Sequence, residues 1–453
     1  MPDQATPNRL HFGDCLEIMA EYIPDESVDL IYLDPPFNSK RIYNAFIGGA
    51  QWVAFDDTWR WYEAIDDFHA VARDVSLAPT MEGLRRILGE GGELAYLSYM
   101  ANRLRECWRV LKPTGSIYLH CDPTMNYLLR LVMNAVFGKE NYRNEIVWSY
   151  RRWPAKQQNF QRMHDTIFRY SRSNTVTWNQ LYEPLAASTL QAFGRKKQVA
   201  DFSTGRRLPR QLETESPGAP MRDVWHISII APSAKERLGY PTQKPLALLN
   251  RIIQASSNPG DVVFDPFCGC GTTIHAAQNL GRRWIGIDVC VQACKVIQKR
   301  IESHMDTLWD DIEFVGMPKT LEDARELAAY DPFKFERWAA SLTPGLEANK
   351  RQRGDKGIDG RGRLPVRKGR FIDVVAQVKA GNSNPSHVQA FNEARRQAGA
   401  ELGIFTCFAD KVTRGMRNAG KYLDKWPVIQ IYTIEDYFAG QLPDLPLGDF
   451  PRP

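Results

Sequence analysis

Short apolar runs alternate along this chain with longer segments whose apolar residues recur at helical spacing. Leu10-His11-Phe12 reads as a strand, Cys15 to Tyr22 as a helix, and Val28-Asp29-Leu30-Ile31-Tyr32 as a strand apolar enough to be buried in a parallel sheet. Residues Asn44 to Gly92 are polar and aromatic, with Trp52, Trp59, Trp61 and Tyr62. They either line a groove or pack on the sheet, and packing is the expected role. Leu94 to Leu111 reads as an amphipathic helix closed by Lys112-Pro113-Thr114-Gly115, followed by a strand at Ser116 to His120, a further helix and a strand at Asn144 to Trp148. From Tyr150 to Asp223 the periodicity fades, apart from a more ordered His164-Asp165-Thr166-Ile167. It resumes with a helix face at Leu246, Leu249, Ile252 and Ile253, and strands at Asp261 to Phe264 and Trp284 to Ile287. This alternation predicts an α/β fold with a doubly wound, Rossmann-like sheet. In the last third, Phe371 to Lys379, Gly403 to Cys407 and Val428 to Tyr432 read as strands, and Val388 to Ala398 as a helix, forming a second, smaller α/β domain. The expected divisions are 1–150, 151–239, 240–305, a linker at 306–335, and 336–453.

Composition narrows the class. A chain of 453 residues suggests two or three domains, and 43% hydrophobic with 25% charged residues is ordinary for a soluble globular protein. No apolar run is long enough to span a bilayer, and the N-terminus does not read as a signal peptide. The eight cysteines are scattered; Cys268/Cys270 and Cys290/Cys294 lack zinc-site spacing and histidine partners, so they read as reduced thiols of a cytoplasmic protein. The net charge of +5 permits a nucleic-acid partner. Between Tyr150 and Asp223, Arg151, Arg152, Lys156, Arg162, Arg169, Arg172, Arg195, Lys196, Lys197, Arg206, Arg207 and Arg210 interleave with aromatics. They form either a surface for phosphates and bases or a solvated, flexible region.

Two stretches carry chemistry. The strand ending at Leu33 runs into Asp34-Pro35-Pro36-Phe37-Asn38, where two prolines without N–H groups stop the ladder. The turn offers a carboxylate, an amide and an aromatic face where open α/β sheets bind ligands. Asp34 and the Pro35 carbonyl can accept from an exocyclic amino group, and Phe37 can stack on a base for roughly 1–3 kcal/mol. Asp14, just after the first strand, is equally a helix N-cap and a partner for a purine amino group. The second stretch is Asp261 to Thr273, a strand followed by a turn containing Gly269 and Gly271, where the backbone can approach a ligand closely. The next strand ends at Asp288, placed to bind ribose hydroxyls. The turn is neither G-x-G-x-x-G nor a P-loop, which favours an adenosine ligand without phosphates.

Asp34-Pro35-Pro36-Phe37 together with Asp265-Pro266-Phe267-Cys268-Gly269-Cys270-Gly271-Thr272-Thr273 resembles the amino-group DNA methyltransferases of the β class, in which the catalytic motif precedes the cofactor motif. Tyr240 to Pro245 looks like the segment just before the cofactor strand. The resemblance covers about residues 8 to 305, with a short, irregular segment where the class keeps its target recognition domain. It implies direct methyl transfer from S-adenosylmethionine to an exocyclic amino group of a base flipped out of double-stranded DNA, in a restriction-modification or related system. The D-P-P form implies adenine N6 over cytosine N4; an RNA substrate, or a DNA-binding protein that has lost the chemistry, are the other readings. Asp34, Pro35, Pro36, Phe37 and Asn38 are the implied catalytic residues. Asp14, Lys244, Asp265, Phe267, Gly269, Gly271, Thr272 and Asp288 are the implied cofactor contacts. A homodimer is compatible, a membrane partner is not expected, and the transfer needs neither a metal nor a covalent intermediate.

The last third opens with a basic run, Lys350, Arg351, Arg353, Lys356, Arg361, Arg363, Arg367, Lys368 and Arg370, around Gly354-Asp355-Lys356-Gly357-Ile358-Asp359-Gly360. With the strand that follows, it resembles the PD-(D/E)xK restriction-endonuclease core in its Mrr-like form. That implies Mg²⁺ on Asp359, assistance from Gln377 and charge stabilisation by Lys379. The alternative is a nuclease-like fold that only binds DNA.

Overall fold

The computed structural model describes residues 8–47, 50–154, 158–203, 205–305, 311–343, 345–349, 357–367, 370–411, 420–422 and 425–446. Lys156, Lys350, Arg351, Arg353, Gly354, Asp355, Lys356 and Lys368 of the sequence reading lie outside them.

The chain begins with β1 (Arg9–Phe12), α1 (Cys15–Tyr22) and β2 (Val28–Leu33). A hairpin, β3 (Ile42–Ile47) and β4 (Ala50–Asp56), precedes α2 (Trp61–Val71), α3 (Ala78–Leu88), α4 (Gly92–Val110), β5 (Leu111–Cys121) and α5 (Asn126–Phe137). Next come β6 (Tyr142–Ser149) and β7 (His164–Ser171), then the short elements β8 (Tyr182–Glu183), α6 (Ala187–Phe193), β9 (Lys196–Asp201), β10 (Leu208–Glu215), β11 (Ala219–Pro220) and β12 (Val224–His226). The second half of the core is α7 (Leu246–Ser256), β13 (Val262–Asp265), α8 (Thr272–Asn279), β14 (Arg283–Asp288), α9 (Val291–His304) and β15 (Glu313–Val315).

Nine of these strands form one sheet in the order β12-β6-β7-β5-β2-β13-β14-β1-β15. Every neighbouring pair is parallel except the two that β7 makes, with β5 and β6. Helices cover both faces, as a doubly wound fold requires. β2 lies at the centre and is buried throughout. Its Ile31 and Leu33 join the core under α1 to α5, and Leu30 and Tyr32 join the core under α7 to α9. That two-sided burial is the physical reason for the unbroken apolar run. The carboxyl ends of β2, β5, β6, β13 and β14 consequently share one edge.

Three sequence expectations are corrected here. Residues 151–239 are not all insert: β7 sits inside the main sheet, buried along nearly its whole length, and β12 forms its edge. Arg169, grouped with the surface arginines, is a core residue; its guanidinium stacks 4.0 Å over Trp178 and bonds the Ser116 hydroxyl at 3.4 Å. Arg172 is likewise drawn inward, pairing with Glu26 at 2.9 Å and lying over Trp108. The 306–335 segment carries structure on its described residues: β15 pairs with β1, and α10 (Leu321–Tyr330) and α11 (Pro332–Ser341) begin the second domain.

That domain continues with β16 (Glu347–Ala348), β17 (Gly360–Arg367), β18 (Arg370–Lys379), α12 (Pro385–Gln397), β19 (Leu402–Cys407), β20 (Lys421–Tyr422), β21 (Trp426–Pro427), β22 (Ile429–Thr433) and α13 (Ile434–Phe438). Its sheet order is β16-β17-β18-β19-β22, antiparallel through β18 and parallel beyond. α10, α11 and α13 share a core with Val378 and Phe408 that also takes in Val291 of α9. The two domains therefore meet through apolar packing, rimmed by Lys334–Glu21 and Arg337–Glu17 ion pairs at 3.1 and 3.0 Å.

Candidate active site

The end of β2 is built around Asp57, which sequence reasoning missed. Its buried carboxylate accepts from the backbone N–H groups of Phe37 (3.2 Å), Asn38 (2.9 Å) and Ser39 (2.7 Å), and from the Trp59 indole (3.0 Å). The two prolines leave the following N–H groups without ladder partners, and Asp57 supplies them. No local sequence signal could have linked positions so far apart. Asn38 takes a positive φ of 58°, and its buried Nδ2 points at the Met125 sulfur, 3.7 Å away. It lies outside the cleft lining and fixes the turn.

Asp34 carries two different carboxylate oxygens. Oδ2 accepts from Lys244 Nζ, which also donates to the Thr242 carbonyl at 3.2 Å and lies 5.5 Å from the centre of the Phe37 ring. Oδ1 is buried without a hydrogen-bond partner. Lys244, expected at the cofactor, lines the cleft and is bonded to the Asp34 carboxylate.

The turn after β13 forms the other half. Asp265 accepts from Thr273 Oγ1 at 2.5 Å and Phe267 N at 3.0 Å. Asp288 accepts from Gly269 N on one oxygen and Cys290 N on the other, each at 2.8 Å. Burial pushes both carboxyls up, each to about 7. Gly269 and Gly271 adopt φ of 52° and 74°; at Gly271 a Cβ would stand 2.9 Å from Ile297. Asp14 caps α1 through Leu16 N at 2.8 Å and pairs with the buried Arg103 at 2.6 Å. Its burial would raise the carboxyl, but Arg103 and the Leu16 N–H outweigh that and hold it low. The N-cap reading of Asp14 holds, and the residue also lines the cleft.

One cleft, enclosing about 1070 Å³ with its open mouth included, spans the two turns. Asp34, Pro35, Pro36 and Phe37 line it together with Asp14, Lys244, Asp265, Phe267, Gly269, Thr272 and Asp288. Gly271 lies outside the lining and acts through its backbone conformation.

A third set of side chains lies directly behind Phe37. His120, fully buried at the end of β5, stacks on the Phe37 ring (5.7 Å between centroids, 29°). Its Nδ1 meets the Tyr32 hydroxyl at 2.9 Å and lies 4.0 Å from Asp34 Oδ1; its Nε2 meets Asp165 Oδ2 at 3.2 Å.

Past the end of β6, the β6–β7 connection carries Arg151, Arg152 and Arg162, with Trp153 91% and Phe160 fully exposed. Arg195, Lys196, Lys197, Arg206, Arg207 and Arg210 are exposed on and around the β9–β10 hairpin. Cations and exposed aromatic rings thus lie together on the β6–β7 connection, the composition the sequence reading singled out.

In the second domain, Asp359 lies against β18, accepting from Val378 N at 2.7 Å, and Gln377 Nε2 donates to the Gly357 carbonyl at 2.9 Å. Lys379 follows on the same strand face. The expected magnesium site is not assembled: among the described residues no group of three or more His, Cys, Asp or Glu side chains is placed to hold a metal. One carboxylate already bonded to backbone is a poor donor set for a cation that demands octahedral oxygen ligands.

Among the described residues no helix is long and apolar enough to cross a membrane. Comparison with known proteins gives two family matches. Residues 333–438 match a family described as NACHT-associated inactive Restriction Endonuclease 1, which bears out a restriction-endonuclease-like domain and does not bear on its Mrr-like form. Type II methyltransferase M.EcaI of Enterobacter cloacae is 31% identical over 46% of this chain and 58% of its own length, so the chain spans little more than half of that relative. DNA adenine methyltransferase YhdJ of Escherichia coli is 27% identical over 71% of this chain and 92% of its own. The solved M1.HpyAVI–SAM complex aligns with 65% of this chain and 98% of its own, at 18% identity and a TM-score of 0.36. Residues 28–299, more than half of the sequence and both halves of the cleft, match the DNA methylase family for N6 and N4 amino groups, and the chain belongs to that family.

Proposed function

We propose that this protein transfers a methyl group from S-adenosylmethionine to an exocyclic amino group of a base flipped out of double-stranded DNA, with adenine N6 as the target. The observation that carries the reading is the unpartnered, buried Asp34 Oδ1 in the same cleft as Asp288. A buried acceptor without a donor is costly unless a ligand satisfies it, and an amino group supplies the donor. S-adenosylmethionine, when bound, supplies an electrophilic methyl on a sulfonium. Asp288 suits its ribose, because each oxygen that takes one N–H keeps a lone pair for a hydroxyl. Phe37 stacks on the base, and Asp34 with the Pro35 carbonyl fixes the amine so that its lone pair faces the methyl. Positioning is then the main catalytic term. Trp153, Phe160 and their flanking arginines suit a distorted duplex, and flipping costs a few kcal/mol that such contacts offset.

The preference for adenine rests on the D-P-P form of the motif and on the similarity to YhdJ. Asp34→Ala should abolish transfer while leaving cofactor affinity by calorimetry nearly unchanged. Mass spectrometry of the product should find N6-methyladenine; N4-methylcytosine would reassign the base and keep the site. For the second domain we infer DNA contact without cleavage. Lys379→Ala should alter neither methylation nor the integrity of plasmid DNA incubated with Mg²⁺, and nicking by the wild-type chain that this substitution removes would overturn that inference.

A further inference from the structure

We propose that His120 and Asp165 form a proton relay behind Asp34, taking up the proton that the target amine sheds as it is methylated. The proposal rests on the methyl-transfer reading above. An exocyclic NH2 uses its nitrogen lone pair to form the new N–C bond, and the C–S pair leaves with sulfur. The nitrogen would then be cationic. Its lone pair was conjugated with the ring, so removing one N–H proton as the N–C bond forms returns a pair to nitrogen and lowers the barrier. The proton needs an acceptor in the cleft.

Asp34 Oδ1 is the first acceptor, buried and unpartnered. Its other oxygen is bonded to the Lys244 ammonium, which leaves Oδ1 as the oxygen open to the amine. His120 Nδ1 lies 4.0 Å beyond Oδ1. A movement of about 1 Å brings the two into proton-transfer range, and catalytic hydrogen bonds are often long before substrate binds.

The protonation of the ring follows from its partners. Asp165 as a carboxylate only accepts, so Nε2, 3.2 Å from Asp165 Oδ2, carries the hydrogen. Nδ1 then holds a lone pair, which accepts a hydrogen bond from the Tyr32 hydroxyl at 2.9 Å. A base whose far nitrogen is held by a carboxylate is the arrangement general bases use. When Nδ1 receives the proton from Asp34, the Tyr32 hydroxyl rotates to accept, and the imidazolium is paired with Asp165. Asp165 is itself held low: burial would raise it, but its hydrogen-bond partners, the His120 ring foremost, outweigh that. Its Oδ1 accepts from the Tyr150 hydroxyl at 3.0 Å, which in turn accepts from exposed Arg152 at 3.2 Å. The ring returns its proton to water when product leaves. The titratable groups around the relay are thus Tyr32 and Asp34 from the β2 end, Asp165 from β7, Tyr150 after β6, and Lys244 before α7.

The test is single-turnover methylation of duplex DNA by the full chain at saturating S-adenosylmethionine, as a function of pH, in H2O and D2O. In the wild type the rate should fall toward acid pH, as a step that needs a free base requires, and should slow in D2O. His120→Gln should lower the rate by about 10²-fold, the scale of general base catalysis, abolish the acid limb, and leave cofactor affinity unchanged. Asp165→Asn, which keeps the shape, should move the acid limb to lower pH, because the imidazolium loses its carboxylate. That displacement decides the matter if His120→Gln does not fold. Variants as fast as wild type, or slower ones with the acid limb in place, would overturn the relay alone. A wild-type chain that binds cofactor and methylates no DNA would overturn the parent reading and the relay with it.

Discussion

Asp34 and Asp57 divide the work at the end of β2. One faces the cleft with an open oxygen, and the other is spent on four donors. Asp57→Ala leaves those donors unpaired, and a buried unpaired group costs about 1–3 kcal/mol. Urea denaturation should show a loss of at least that size, accompanied by loss of transfer, with cofactor binding at the far turn largely kept. Asp288 gives a pH prediction. Burial raises its carboxyl to about 7, so the folded, unliganded protein has an increment of stability at acid pH that is lost as pH rises through about 7. The ionised form is the better acceptor for ribose hydroxyls, so cofactor affinity should strengthen through the same interval and then level off. Calorimetry at several pH values should find this, with Asp288→Asn weaker and with a flatter pH profile. Unchanged affinity in Asp288→Asn would remove the residue from the ribose site.

The turns and strands set how those residues meet. Gly271 opens α8 in the left-handed region, with Ile297 against it. Gly271→Ala adds both a strained φ, about 1–2 kcal/mol for an ordinary residue, and a collision at 2.9 Å. Gly89, at the end of α3, has open space around it, but its φ of 70° and ψ of −178° lie in a region essentially restricted to glycine, so Gly89→Ala is costly through the backbone alone. Thermal denaturation should show both variants destabilised, with cofactor affinity lost only in Gly271→Ala. The exposed cations at and between β9 and β10 make a separate prediction. If they neutralise phosphates, log affinity for DNA falls linearly with log salt, by roughly 0.9 per phosphate. Replacing Arg206, Arg207 and Arg210 with glutamine should flatten that slope; an unchanged slope would exclude the hairpin as the contact.

At the scale of the molecule, the two domains share the core that joins Val291 to Phe335, Trp338 and Phe408. The flanking ion pairs of Lys334 and Arg337 are exposed and add little, in the range of about 0–1 kcal/mol each. Apolar contact is the main adhesive. Ending the chain before α11 would expose that face of α9, and the shortened protein should unfold at lower denaturant concentration than the full chain. Val291→Asp in the intact chain should do the same and produce two unfolding transitions where the wild type has one.

The sequence by itself determined the strands and helices that flank the two turns, and the turns themselves. β2 was legible because a strand buried on both faces must be apolar throughout, and its end because proline cannot extend a ladder. Gly271 and Asp288 were legible because a strand–turn–helix–strand order needs backbone freedom at one place and leaves an acid at another. Tertiary structure alone decided the rest. The membership of β7 in the sheet was hidden because its Arg169 is charged, and only stacking on Trp178 makes that charge tolerable in the core. Lys244 became the partner of Asp34, Asp57 the anchor of the turn, and His120 with Asp165 the assembly behind Phe37, across separations in the chain of up to 210 residues. Such partners leave no periodic or local trace. Their pairing comes from parallel strands whose carboxyl ends gather at one edge of a sheet, and distance in space there is independent of distance along the chain.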